Sequence, residues 1–336
     1  MTGKSLYDIS ILVRVRNESE ALERLLSFLQ KQNFNGSFEV VVIDNESDDD
    51  SAKIALSNGA RVFLLPRNLF TYGRAINIGV NRCQADLILL LSAHVWPLEE
   101  NFLQSIFDDI NKLPSIEGMY FKQIPYQVIG KAEKLRFSIF PGSSCVIEKD
   151  FVCQQLESGL SLYHASYFSN SACILRREAI LNHPMRDLPY AEENAFALDL
   201  IIEGKSVAYN NSNVVYYEGP VSLKRLYHQE RRRTIAEKLL EKNYGPDFGI
   251  TQFNVRMKLS SVANVLLIPV TLLKIFYRLL SKGEYKLGSR TLLYDVCSIG
   301  ADWGRLKGML NWRKFEKSFE LDVNMLQQAN KEIKQL

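Results

Sequence analysis

The chain has 336 residues, 46% apolar and 24% charged, with a formal net charge of +3 at pH 7. That is enough to bury one large core with an appendage, and too little positive charge to mark a nucleic-acid binder. The five cysteines, Cys83, Cys145, Cys153, Cys173 and Cys297, are scattered and form no CxxC pair, which argues against a disulfide framework or a zinc site and suits a reducing compartment. The leading MTGKSLYDIS lacks the basic patch, apolar run and cleavage site of a secretory signal, so the expectation is a cytoplasmic protein.

Ile9 to Val13 reads as a buried strand. Leu22, Leu25, Leu26 and Leu29 then recur at i, i+3, i+4 and i+7, the apolar stripe of a helix. Further strands are expected at Glu39 to Ile43, Arg61 to Leu65 and Asp86 to Leu91, with helical stretches around Asp50 to Ser57 and Arg74 to Cys83. Strand and helix in alternation predict a mainly parallel sheet covered on both faces. From about 115 to 220 the pattern turns mixed, with strands near 117–123, 168–175 and 206–217 and a helix after Glu192. Beyond 222 the chain reads as helices to its end.

In such sheets ligands bind beyond the carboxyl ends of the strands, which directs attention to loops 14–19, 44–51, 66–73 and 92–97. In the first, Arg14, Arg16 and Glu18 can hydrogen-bond a base or ribose, although Glu18 equally suits a helix N-terminus. The second carries Asp44 and a run of further acids. One residue of Ser47 to Asp50 is expected to cap the next helix, and Asp44 suits the ring N–H of uracil or thymine. In the third, Gly73 permits close backbone approach, Arg74 can meet a phosphate and Asn77 can bond a base or ribose. An ordinary helix start with a surface arginine is the alternative. The fourth releases Ser92-Ala93-His94 from a buried strand. A lone histidine is more often structural, but one at this strand end, on the edge of Asp44 and Arg74, suits a divalent ion that neutralises a diphosphate.

Taken in order, these segments resemble family 2 glycosyltransferases of the GT-A fold. Arg16-Asn17-Glu18 is similar to that family's RNE loop, Asp44 to Ser51 to its acid-rich turn, and Gly73 to Gly79 to its GxAxNxG helix start. Ser92-Ala93-His94 stands where a DxD metal motif is expected. Phe168 to Glu178 resembles the SNxxxAIRRE strand and Leu188 to Glu193 the LPYAED element. The likeness covers residues 6–235, and its details are closest to bacterial rhamnosyltransferase-like members.

The resemblance implies an α/β fold, a Rossmann-like mixed sheet flanked by helices, with a catalytic domain over 1–235 and a helical extension over 236–336. Within the domain, 1–115 would bind the nucleotide and 116–235 the acceptor. It implies inverting transfer from a UDP- or dTDP-linked sugar to a hydroxyl of a saccharide or lipid-linked saccharide in cell-surface polysaccharide assembly, with Mn2+ or Mg2+ as cofactor. The base would be Glu193, the second acid of the pair, with Glu192 beside it at a helix N-terminus. His94 would ligate the metal, with either Glu218 or His228 in place of a histidine that relatives carry. Positive charge toward the diphosphate would come from the metal, Arg74 and the segment Lys224 to Arg233, most of whose arginines read as a solvated face. A non-catalytic nucleotide-sugar-binding or scaffold protein is the alternative, motivated by the missing carboxylate at Ser92. A nucleotidyltransferase is weaker still, because no glycine-rich basic loop follows the first strand.

Residues 251–318 hold twelve Lys and Arg against four Asp and Glu. Val262 to Leu280 is strongly apolar, but Asn264, Pro269, Lys274 and Arg278 interrupt the roughly 20 apolar residues a span needs. The expectation is an amphipathic segment on an anionic leaflet, with Trp303 and Trp312 as anchors, holding the protein peripherally on the inner face of the plasma membrane. A helical cap on the catalytic domain or on a second copy in a homo-oligomer is the alternative.

Overall fold

The computed structural model describes residues 5–126, 144–157, 165–218, 223–245, 303–308 and 310. In β1 (Ile9–Val15) successive side chains point to opposite faces of the sheet. Ile9, Ile11, Val13 and Val15 therefore join one apolar cluster with α1 (Ser19–Gln30), α2 (Ser51–Ser57) and α4 (Phe102–Lys112), while Leu12 joins a second with α3 (Tyr72–Arg82). β4 (Leu87–Ser92) divides in the same way, Leu89 and Leu91 to the first face and Ile88 and Leu90 to the second. A strand buried on both faces has no polar side to show, hence the continuous apolar runs.

β2 (Phe38–Asp44) and β3 (Arg61–Leu64) extend the parallel half in the order β3-β2-β1-β4. The second half is mixed. β8 (Ala172–Arg176) lies antiparallel between β4 and β6 (Ile116–Pro125), and β9 (Ser206–Tyr217) runs parallel to β6. Two short strands, β5 (Val95–Pro97) and β7 (Cys145–Ile147), pair antiparallel with β9. They were not expected from the sequence, nor were α4 and α5 (Lys149–Glu157). The stretch expected as a strand over 168–175 is extended only from Ala172, and α6 (Arg177–Asn182) follows it directly.

α7 (Glu192–Ile202) turns one side to the sheet through Phe196, Ala197, Leu200 and Ile201, and the other to α8 (Leu223–Tyr244) through Ala195 and Leu198. The division expected at residue 235 falls inside α8. The helical residues 303–308 lie against α8 so closely that a Cβ on Gly304 would stand 2.2 Å from the Tyr227 carbonyl oxygen, and one on Gly308 2.8 Å from that of Arg231. Arg305 Nε donates to Glu230 across this contact at 2.8 Å. Among the described residues no helix is long and apolar enough to cross a membrane. The candidate membrane segment at 262–280 and Trp312 lie outside the described residues, whereas Trp303 is 41% exposed.

Candidate active site

A cleft of about 560 Å³ opens at the carboxyl ends of β1 and β4. From the strand side it is lined by Arg14, the last position but one of β1, by Ser92 at the end of β4, and by His94 in the turn that follows. The chain before and at the start of α7 contributes Asn170, Tyr190, Glu192 and Glu193, and α8 contributes Lys224, His228, Gln229 and Arg232. Of the thirteen residues singled out in the sequence, Arg14, Ser92, His94, Glu192, Glu193 and His228 therefore meet at one cleft.

Glu18 backs His94. Its carboxylate lies 3.0 Å from Nδ1, so that nitrogen carries the proton and donates it, and among the described residues Nε2 has no hydrogen-bond partner. Tyr217 packs edge-on against the ring at 5.2 Å between centroids. A carboxylate fixing one nitrogen of a cleft-lining imidazole is the outer arrangement that metal-binding histidines have.

The two glutamates are held differently. Glu192 is buried, accepts from the Asn170 side-chain amide and lies near Arg14, which itself donates to the Asn170 carbonyl at 3.1 Å. Burial raises its pKa, and the Arg14 charge and the Asn170 amide hold it back. Burial pushes Glu193 well above the usual carboxylate range, and the charge of Glu192 pushes it further. A buried acid and a half-buried one side by side oppose each other's ionisation, and Glu193 is pushed up the further of the two. The turn into α7 is itself strained, because Ala191 takes φ 63°, a left-handed conformation that disfavours a residue with a Cβ.

The remaining candidates lie off the cleft lining, and all but Arg16 are held by a partner distant in the sequence or by their own turn. Asp44, at the end of β2, is buried and accepts from the Ser47 hydroxyl at 2.5 Å and the Ser47 amide at 3.2 Å. Arg74 is 4% exposed, bonded to Asp187 at 2.5 Å and to the Leu69 carbonyl at 2.9 Å, an internal ion pair rather than a surface cation. Asn77 exchanges two hydrogen bonds with the Met185 backbone, at 2.8 and 3.0 Å. Gly73 admits backbone, as expected, but the backbone is the protein's own: a Cβ there would stand 2.3 Å from the Arg186 carbonyl oxygen. Together these contacts seat the start of α3 on the 185–187 segment. Glu218 pairs with Arg24, whose guanidinium lies over the Trp96 ring, and Arg16 is exposed near Asp48.

The acid run after Asp44 clasps the neighbouring loop. Asp49 accepts from the Ser19 amide at 2.9 Å and from Ser51, while Asp48 pairs with Arg67 and exchanges bonds with Asn17. Asp49, not the N-cap position Asp50, therefore satisfies orphan N–H groups at the starts of both α1 and α2. Burial opposes its ionisation, yet the bonds from Ser51 and Ser19 keep its pKa low.

Among the described residues no three His, Cys, Asp or Glu side chains gather to hold a metal ion by themselves. Ions of the Mg2+ type commonly take only one or two protein ligands and complete their shell with substrate phosphates and water. His94 with its Glu18 partner fits that role, whereas Glu218 is committed to Arg24. Asn170, Tyr190, Gln229 and Arg232 were not singled out as site residues in the sequence. The first two stood inside recognisable segments whose polar side chains were legible, and the others lay in the segment Lys224 to Arg233, which was expected to face the diphosphate as a group with no single residue chosen.

The architecture is that of the GT-A glycosyltransferases, a curled mixed sheet between helices. The sequence model of glycosyl transferase family 2 matches residues 10–181, just over half of the chain, and the chain belongs to that family. It is 27% identical over 165 residues to a 4,4'-diaponeurosporenoate glycosyltransferase of Staphylococcus haemolyticus, covering 48% of this chain and 43% of that protein. Over 95 residues it is 36% identical to an undecaprenyl-phosphate 4-deoxy-4-formamido-L-arabinose transferase of Pseudomonas savastanoi, covering 25% and 27%. The alignments thus span less than half the length of these relatives. The mannosyltransferase PcManGT from Pyrobaculum calidifontis, solved with GDP-Man and Mn2+, superposes with a TM-score of 0.52 at 13% identity, over 92% of this chain and 87% of that one. Glucosyl-3-phosphoglycerate synthase from Mycobacterium tuberculosis, solved with Mn2+, UDP and glucosyl-3-phosphoglycerate, gives 0.51 at 17% identity, over 73% and 83%. At these identities the likeness is one of fold.

Proposed function

We propose that the chain transfers a sugar, with inversion, from a nucleotide-diphospho-sugar to an acceptor hydroxyl, and that Glu193 is the base. The observation that carries this reading is the joint presence, in one cleft at the strand ends, of the Glu192–Glu193 pair and the His94–Glu18 couple. Glu193 takes the acceptor proton as the acceptor oxygen attacks the anomeric carbon. The bond from that carbon to the diphosphate breaks on the opposite face, and its electron pair leaves with the nucleotide. A raised pKa makes Glu193 a stronger base once ionised. Glu192, Asn170 and Arg14 position it, and Arg14 stabilises the negative charge of the pair.

A divalent ion, Mn2+ or Mg2+, supplies neutralisation of the departing diphosphate when bound. His94 would hold it, oriented by Glu18, with Ser92 beside the same phosphates. The UDP or dTDP preference rests on Asp44, whose carboxylate keeps lone pairs beyond the two bonds it makes to Ser47. The rhamnosyltransferase-like segments make a rhamnosyl group the first sugar to try. The finer assignments belong to this reading as well: a saccharide or lipid-linked saccharide acceptor, a cytoplasmic location, and attachment to an anionic membrane through the C-terminal segment. Thermal shift with UDP-, dTDP- and GDP-sugars plus Mn2+ tests it. A rise in Tm with one nucleotide class, dependent on the ion, is expected, and no rise with any of them refutes it.

A further inference from the structure

α8 borders the cleft beside the carboxyl pair, since Gln229 Nε2 donates to the Tyr190 hydroxyl at 3.1 Å, two residues before Glu192. Three of its cleft-lining side chains, Lys224, His228 and Arg232, are spaced by four residues, which stacks them on one helix face over about 12 Å. All three are exposed. On other faces of the helix Arg233 pairs with Glu230 and Glu237, and Lys238 with Glu241. Lys224, His228 and Arg232 form no ion pair among the described residues. Nor do they neutralise the carboxyl pair, whose chief positive neighbour is Arg14. The Tyr72 hydroxyl lies within the field of Arg232 as well as of Arg14, Glu192 and Tyr190, so this end of the row stands near the carboxyl pair.

Two unpaired cations with an imidazole donor between them, beside a proton acceptor, suit an anion that arrives with the acceptor. We propose that Lys224, His228 and Arg232 form a subsite for a phosphate group of the acceptor, so that the chain glycosylates a phosphorylated acceptor. The inference rests on the glycosyltransferase reading. It differs from the sequence expectation, in which this segment faces the donor diphosphate.

The test uses the full chain saturated with Mn2+ and whichever of UDP, dTDP or GDP binds most tightly. Glycerol 3-phosphate, with glycerol as the uncharged control, is then titrated in by calorimetry. Binding of glycerol 3-phosphate but not glycerol is expected, weakened at least tenfold in K224E/R232E while nucleotide affinity stays within twofold. The neutral pair K224Q/R232Q repeats the measurement should charge reversal disturb α8. Absence of binding in the parent, or equal binding in parent and variants, overturns the subsite. A tenfold loss of nucleotide affinity in the variants assigns the row to the donor diphosphate and overturns it too. If the parent binds none of the three nucleotides, the glycosyltransferase reading fails first and this inference with it.

Discussion

The carboxylate of Glu18 accepts from His94 Nδ1 at 3.0 Å, joining the loop after β1 to the turn after β4 across 76 positions of sequence. The bond selects the tautomer in which Nε2 is the free acceptor. Glu18→Gln removes the charge and keeps the shape. It is expected to weaken Mn2+-dependent nucleotide binding about 10- to 100-fold, the range seen for outer-shell partners of metal ligands. His94→Ala should weaken it further. Calorimetric titration of Mn2+ in the presence of the nucleotide reads both, and an unchanged ion dependence in His94→Ala removes this residue from metal binding.

Glu193→Gln separates chemistry from binding. Loss of a general base typically costs about 10²- to 10⁴-fold in rate, while nucleotide affinity should stay as in the parent. The same substitution should stabilise the fold at neutral pH. Glu193 has a folded pKa well above its unfolded value, so above the unfolded value the native state holds the extra proton, and stability declines as pH rises toward the folded pKa. The Gln variant lacks that decline. Its Tm should exceed the parent's near pH 8 and converge with it near pH 4.5, measured by scanning calorimetry across that range.

Arg14 lowers the pKa of both glutamates. Arg14→Met leaves them without their chief cation, so the acid limb of the pH–rate profile should move to higher pH. A limb that stays in place shows that neither carboxyl governs the rate.

Asp49 holds amides at the starts of α1 and α2. Asp49→Ala should destabilise the fold by about 1 kcal/mol, the scale of a lost helix cap, and leave the choice of nucleotide unaltered. Urea titration measures the first effect and the nucleotide panel the second. A changed nucleotide preference instead places Asp49 in the donor site.

Periodicity and strand-end position made much of the fold legible. The run from Ser206 to Tyr217 was expected as a strand and is one, and Leu22, Leu25, Leu26 and Leu29 form the buried stripe of α1. β5 escaped because three residues ending in Pro97 carry no alternation, and its pairing to Tyr217, Tyr216 and Val215 is set by tertiary contact. α4 did carry a signal, Phe102, Leu103, Ile106 and Ile110, that was not read. In the site, Arg74, Asn77 and Gly73 looked like ligand contacts because their partners, Asp187, Met185 and Arg186, stand more than 100 residues away. A polar side chain at a strand end announces that it needs a partner, not whether the partner is a ligand. The cationic row of α8 stayed hidden for the complementary reason. Arginines at 231, 232 and 233 look alike in sequence, and only the helix direction separates Arg232 at the cleft from Arg233 among its acids.

The most direct measurement is release of nucleoside diphosphate from UDP-, dTDP- and GDP-sugars by the parent and by Glu193→Gln, with Mn2+ present and water as the only acceptor. Slow release from one donor class, reduced at least 100-fold in the variant while both proteins bind that donor equally, is the expected result. Donor binding without release, or release at the same rate in both proteins, contradicts sugar transfer driven by Glu193.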